Sequence, residues 1–172
     1  LWDLSEKSAF RINILTINND LEFTEMVENA SSSETSNLGQ RSLVGGISWK
    51  QLWNNKLTTN ALGYGSYYLL NSVNEEIFTT QKLTQENEVL ETGIKLDAIL
   101  KLSEKTELQG GYHFSETGIA NTQDVNLPRF RSYEKNVLRS HIAFTNLQYT
   151  PNGSKTSINV GLRANYFTKF NK

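Results

Sequence analysis

The chain has 172 residues and a formal net charge of −1, from 17 Lys+Arg against 18 Asp+Glu. That balance excludes the basic excess of a nucleic-acid binder, so no nucleic-acid partner is expected. With no cysteine, disulfides, thiolate zinc sites and cysteine nucleophiles are excluded as well, and only His113 and His141 remain as material for a histidine metal cluster or acid–base chemistry.

Leu1-Trp2-Asp3-Leu4 carries neither an initiator Met nor a signal-peptide core, and Phe170-Asn171-Lys172 stops just after a strand pattern. The expectation is an excerpt of a longer protein, with upstream signals out of view. No stretch reaches the roughly 18–20 apolar residues of a transmembrane helix. A membrane β-barrel stays open, because its strands alternate lipid-facing and lumen-facing residues and average to a polar composition.

Period-two alternation dominates the chain. A turn is expected at Asp3–Lys7, with Leu1-Trp2 ending an earlier strand. Ser8–Asn18 then puts Phe10, Ile12 and Ile14 opposite Arg11 and Asn13. Asn19–Gln40 reads as a long polar loop, including the run Ser31-Ser32-Ser33-Glu34-Thr35-Ser36. Over Ser42–Leu52, Leu43, Gly45, Ile47 and Trp49 share one side, and Trp53-Asn54-Asn55-Lys56 is a tight turn. In Leu57–Leu70 the apolar series is Leu62, Tyr64, Tyr68 and Leu70, opposite Ala61, Gly63, Gly65 and Tyr67.

A second long loop, Ser72–Val89, is made acidic by Glu75, Glu76, Glu86 and Glu88 together with Glu91 just beyond it. Leu90–Leu102 sets Ile94, Leu96, Ala98 and Leu100 against Lys95, Asp97 and Lys101. After the turn Ser103–Thr106, Glu107–Ser115 sets Leu108, Tyr112 and Phe114 against Gln109 and His113. Glu116–Asn136 is the third long loop. Val137–Thr150 mixes its phases, with Ile142 and Phe144 on one side and Ala143, Leu147 and Tyr149 on the other, which predicts a bulge. A turn at Pro151-Asn152-Gly153-Ser154-Lys155 leads into Thr156–Lys169, where Ile158, Val160, Leu162, Ala164 and Tyr166 oppose Arg163.

About seven strands thus alternate short and long connections, as in outer-membrane barrels with short periplasmic turns and long extracellular loops. Strand lengths reach the roughly 9–11 residues that a tilted strand needs to cross a bilayer. Aromatic residues near strand ends (Trp49, Trp53, Tyr64, Tyr68, Tyr112, Phe114, Tyr149, Tyr166, Phe167 and Phe170) suit interfacial belts. The predicted fold class is therefore all-β: a transmembrane antiparallel up-and-down barrel, with residues 1–172 forming part of one barrel domain. Open edges in lipid would leave backbone groups unsatisfied, so further strands must complete it.

Val137-Leu138-Arg139-Ser140-His141-Ile142-Ala143-Phe144, then Leu147-Gln148-Tyr149-Thr150-Pro151, then Val160-Gly161-Leu162-Arg163-Ala164-Asn165-Tyr166-Phe167 resembles the barrel of TonB-dependent receptors, especially those of Bacteroidota. The resemblance covers about a fifth of the chain. It implies a barrel of about 22 strands around an N-terminal plug. It also implies a Gram-negative outer-membrane location and energised uptake of a scarce nutrient such as an iron–siderophore complex, cobalamin, a glycan or a peptide. The implied partners are outer-membrane lipid, the remaining strands and plug of the same protein, the TonB complex through an N-terminal region outside these residues, and a surface lipoprotein as in some relatives.

In the third loop, Arg129, Phe130, Arg131 and Tyr133 place cations beside aromatics. They form the candidate substrate-binding group, able to grip an anionic or sugar-like ligand by bidentate hydrogen bonds and stacking. Folding of the loop onto the rim explains the same residues. No G-x-S-x-G, Walker A or Rossmann glycine pattern occurs, so neither an enzyme nor a resident cofactor or metal is expected. The alternatives are a passive or structural outer-membrane barrel without a plug, and a soluble β-rich binding module.

Overall fold

The alternating segments become strands because each carries β-branched and aromatic residues on one side and polar residues on the other. In the computed structural model, which describes residues 2–26, 33–76, 78–151 and 156–171, eight strands form one antiparallel sheet in sequence order. They are β1 (Trp2–Ser5), β2 (Ser8–Met26), β3 (Ser33–Leu52), β4 (Leu57–Glu76), β5 (Lys82–Lys101), β6 (Thr106–Val125), β7 (Phe130–Tyr149) and β8 (Ile158–Asn171). No helix occurs among the described residues. The architecture is all-β and up-and-down, as expected. The sheet is open: β8 and β1 are its two ends, and no pairing joins them among the described residues.

One expectation fails in an informative way. The three long polar stretches are largely strand rather than loop. β2 and β3 pair continuously from Ser8↔Gln51 to Met26↔Ser33, β4 and β5 from Leu57↔Leu100 to Glu75↔Lys82, and β6 and β7 from Thr106↔Tyr149 to Val125↔Phe130. The described connectors shrink to residues 78–81 and 126–129, and residues 27–32 and 77 lie outside those described. Polar residues on both sides hide the period-two signal, yet the ladder of backbone hydrogen bonds continues through them. β3 to β7 consequently reach 20 residues each.

The β3–β4 and β5–β6 turns at the opposite, lower end fall where expected. Asn54 Oδ1 accepts the N–H groups of Lys56 and Leu57 at 2.8 and 2.9 Å, closing the β3–β4 turn. Leu102 and Ser103 both donate backbone N–H to Thr106 O in the β5–β6 turn. The turn before β2 narrows to Glu6-Lys7, with β1 ahead of it. Of the Pro151–Lys155 turn, residues 152–155 lie outside those described.

The predicted bulge in β7 is absent, since pairing to β6 and β8 proceeds without a register slip. A slip occurs instead at the β1–β2 pair, between Asp3 and Ser5.

Register fixes the two faces. Phe10, Ile12 and Ile14 of β2, Leu43, Ile47 and Trp49 of β3, and Leu90, Ile94, Leu96 and Leu100 of β5 share one face. Leu108, Tyr112 and Phe114 of β6, Val137, Ala143 and Leu147 of β7, and Ile158, Val160, Leu162 and Tyr166 of β8 continue it. The other face carries Arg11, Lys50, Lys95, Asp97, Lys101, Gln109, His113 and Arg163. β4 departs from the reading of its sequence: Leu62, Tyr64, Tyr68 and Leu70 lie on the polar face, through Leu62↔Lys95 and Tyr64↔Gly93. Leu57, Ala61, Tyr67 and Leu69 take the apolar one. No hydrophobic core exists among the described residues, and Leu162 and Ile14 are 76% and 74% exposed.

Candidate functional site

Three regions present chemistry: the apolar face, the polar face and the upper end. On the apolar face of β2 to β8, no Asp, Glu, Lys or Arg occurs between the lower turns and a stepped boundary, set by Arg41 and Glu88 on β3 and β5 and, two rows of pairing lower, by Glu116 and Arg139 on β6 and β7. The band from Leu90 to Leu100 of β5 spans about 33 Å of strand, or about 25 Å in height at the tilt of a barrel strand. Across seven strands spaced about 4.8 Å apart, it covers on the order of 900 Å².

The ends of this band are dressed differently. At the lower end Trp49 and Trp53 meet edge-on with ring centroids 6.3 Å apart, and each indole N–H donates to a hydroxyl, Ser8 Oγ at 3.0 Å and Thr59 Oγ1 at 2.9 Å. Towards the top His141 sits among aromatic rings, with Phe114, Tyr166 and Tyr112 centroids at 5.0, 6.0 and 6.2 Å. The Tyr112 hydroxyl lies 2.7 Å from His141 Nδ1. Just above, Arg139 pairs with Glu116 and lies over the Phe170 ring, 5.1 Å from its centroid. Rings with one polar edge are suited to a boundary between oily and wet surroundings.

The polar face is built by two devices. Small residues receive large ones: Tyr64 lies across Gly93 and Phe144 across Gly111, each pair directly opposed between neighbouring strands. Charges are shared out between strands: His113 Nε2 is 3.0 Å from Asp97 Oδ1, Tyr64 donates to Glu91 at 3.0 Å, and Lys95 Nζ is 5.3 Å from the Tyr64 ring centroid. His113 and His141 thus lie on opposite faces, and no group of three or more His, Cys, Asp or Glu suited to a metal occurs among the described residues.

At the upper end the candidate substrate group is divided. Arg129 lies in the 126–129 connector, and Phe130, Arg131 and Tyr133 belong to β7 rather than to a loop, opposite Val125, Asp124 and Thr122. Arg131 and Tyr133 take the apolar face above its band, whereas Phe130 takes the polar face, so the four do not converge on one ligand. Arg131↔Asp124 supplies the cation with an opposite-charge cross-strand neighbour, and Tyr133 is 58% exposed. The acidic residues of the second predicted loop divide too: Glu75, Glu86 and Glu88 on one face, Glu76 and Glu91 on the other.

Sequence reading missed the feature that organises this end. Asn126 joins the two described upper connectors: its Oδ1 accepts from Lys82 N–H at 2.7 Å and its Nδ2 donates to Thr80 O at 2.8 Å. Gln81 Nε2 adds a bond to Leu127 O. Beside these bonds Phe78, Leu127 and Phe130 are more than half exposed. Only the turn propensity of Asn126-Leu127-Pro128 hinted at it.

No protein-family model matches the chain, and no curated protein matches it.

Proposed function

We propose that this chain forms part of the wall of an outer-membrane β-barrel, and that the barrel is a TonB-dependent uptake receptor. One observation carries the barrel reading: a charge-free apolar face across seven strands stands back-to-back with a face bearing Arg11, Lys50, Lys95, Asp97, His113 and Arg163 at the same level. Soluble monomers rarely expose apolar patches beyond a few hundred Å². A bilayer takes up such a face at no cost, while the opposite face meets a wet or plugged interior.

In this reading the Trp49–Trp53 pair and the His141 cluster mark the two interfaces, and the upper halves of β2 to β7 stand clear of the membrane. The receptor assignment rests on the likeness of the Val137–Phe167 stretch to that family, and on a polar face suited to an enclosed plug. Substrate contacts at the upper rim bias the plug only where they differ between the free and loaded states.

The test is fractionation of the bacterium that encodes the full-length chain. The expected result is recovery in the outer membrane, heat-modifiable migration, and nutrient uptake abolished when TonB is deleted. Recovery as a detergent-free soluble monomer refutes the barrel, and uptake indifferent to TonB makes it a passive barrel instead.

A further inference from the structure

We propose that the polar face carries a carboxylate-binding recess bounded by Arg11, Lys50 and Lys95. Three strands deliver these cations to one place. Register sets Arg11 beside Ser48, Ser48 beside Leu62, and Leu62 beside Lys95; the adjoining row sets Lys50 beside Asn60, and Asn60 beside Asp97. All of these residues line a single recess. Its one carboxylate, Asp97, is held by His113 at 3.0 Å. Among the described residues the side chains of Arg11 and Lys50 have neither an ion pair nor a hydrogen bond, and that of Lys95 has only the Tyr64 ring.

The recess therefore holds three positive charges against one that is already engaged. Its remaining polar groups, the Ser48 hydroxyl and the Asn60 amide, both donate hydrogen bonds. A carboxylate suits this set: a guanidinium grips it through two parallel bonds, ammonium groups add charge, and the hydroxyl and amide complete its lone pairs. The carboxylate comes either from an acidic side chain of polypeptide packed on this face or from a free solute. The recess needs no membrane for its geometry, so it goes beyond the receptor reading rather than depending on it.

The experiment uses the full-length protein in detergent micelles. A water-soluble carbodiimide joins a lysine amine to a carboxylate in contact with it, and the products are mapped by mass spectrometry. In parallel, amine acetylation is measured with and without citrate. A polypeptide source gives an isopeptide from Lys50 or Lys95 to an Asp or Glu outside residues 1–172.

A free solute gives at least a threefold drop in acetylation of Lys50 and Lys95 by citrate, with Lys56 and Lys105 in the turns unchanged, and Arg11→Gln removes that protection. Absence of both effects, or isopeptides confined to this sheet without citrate protection, overturns the proposal. Protection in a protein that never reaches the outer membrane leaves the recess standing and removes only the barrel.

Discussion

Tyr64 lies flat across Gly93, its directly opposed neighbour on the next strand, so closely that a Cβ at position 93 would sit 2.6 Å from the ring carbon Cζ. Phe144 covers Gly111 in the same way two strands further on. The aromatic residue shields the glycine and restores the side-chain contact that glycine lacks. Gly93→Ala must displace both the Tyr64 ring and the carbonyl of Phe114, which a Cβ would approach to 2.7 Å. The expected cost is about 1–3 kcal/mol, seen as a lower unfolding midpoint. Gly63→Ala, where a Cβ would meet nothing within 4 Å, is the control and leaves the midpoint within about 0.5 kcal/mol.

Charge on the two faces distinguishes lipid from water. Leu96→Arg places a cation in the middle of the apolar band, and in a bilayer it costs about 2–4 kcal/mol. The expected result is loss of the heat-modifiable, assembled form. Ile99→Arg on the polar face, near Lys101, leaves assembly intact. Equal tolerance of both would mean that the apolar face is not in lipid.

Trp49 and Trp53 predict a spectroscopic signature. Vesicles containing lipids brominated near the headgroup should quench the fluorescence of the reconstituted protein more than lipids brominated near the chain ends. Trp49→Phe should reduce that quenching. Stronger quenching by chain-end bromines would move this pair away from the interface.

Thr80 has φ at 54°, a left-handed conformation that β-branched residues rarely adopt. Thr80→Gly relieves roughly 1 kcal/mol of that strain. The replacement keeps the backbone carbonyl that accepts from Asn126. The variant should unfold at a higher denaturant concentration, whereas Asn126→Ala, which breaks the bonds to Thr80 and to Lys82 at the start of β5, should increase proteolytic cleavage within residues 78–81.

Legibility in the sequence followed a simple physical rule. Where one face is apolar and the other charged, as in Ile94-Lys95-Leu96-Asp97, alternation reveals the strand, its phase and its face. Alternation gives the wrong phase for β4 because its large residues, Tyr64 and Leu62, lie on the polar side while glycine and alanine occupy much of the apolar one. Mixed phases in β7 arise from Ile142 and Phe144, which pack on the polar face, Phe144 filling the space over Gly111. The upper halves of β2 to β7 escaped notice because their two faces are alike, and hydrogen bonding across a ladder leaves no trace in side-chain alternation. Arg129, Phe130, Arg131 and Tyr133 were legible as chemistry and illegible as a site, since alternation on a strand sends neighbours to opposite sides.

The Asn126 side chain turns two separate hairpin tips into a single mechanical element. Thr80 and Lys82 on one hairpin are tied to Asn126 on the other, and Gln81 is tied to Leu127 beside it. Displacing one of these two tips therefore means breaking its bonds to the other, so the pair presents one continuous landing surface in place of two independent fingers.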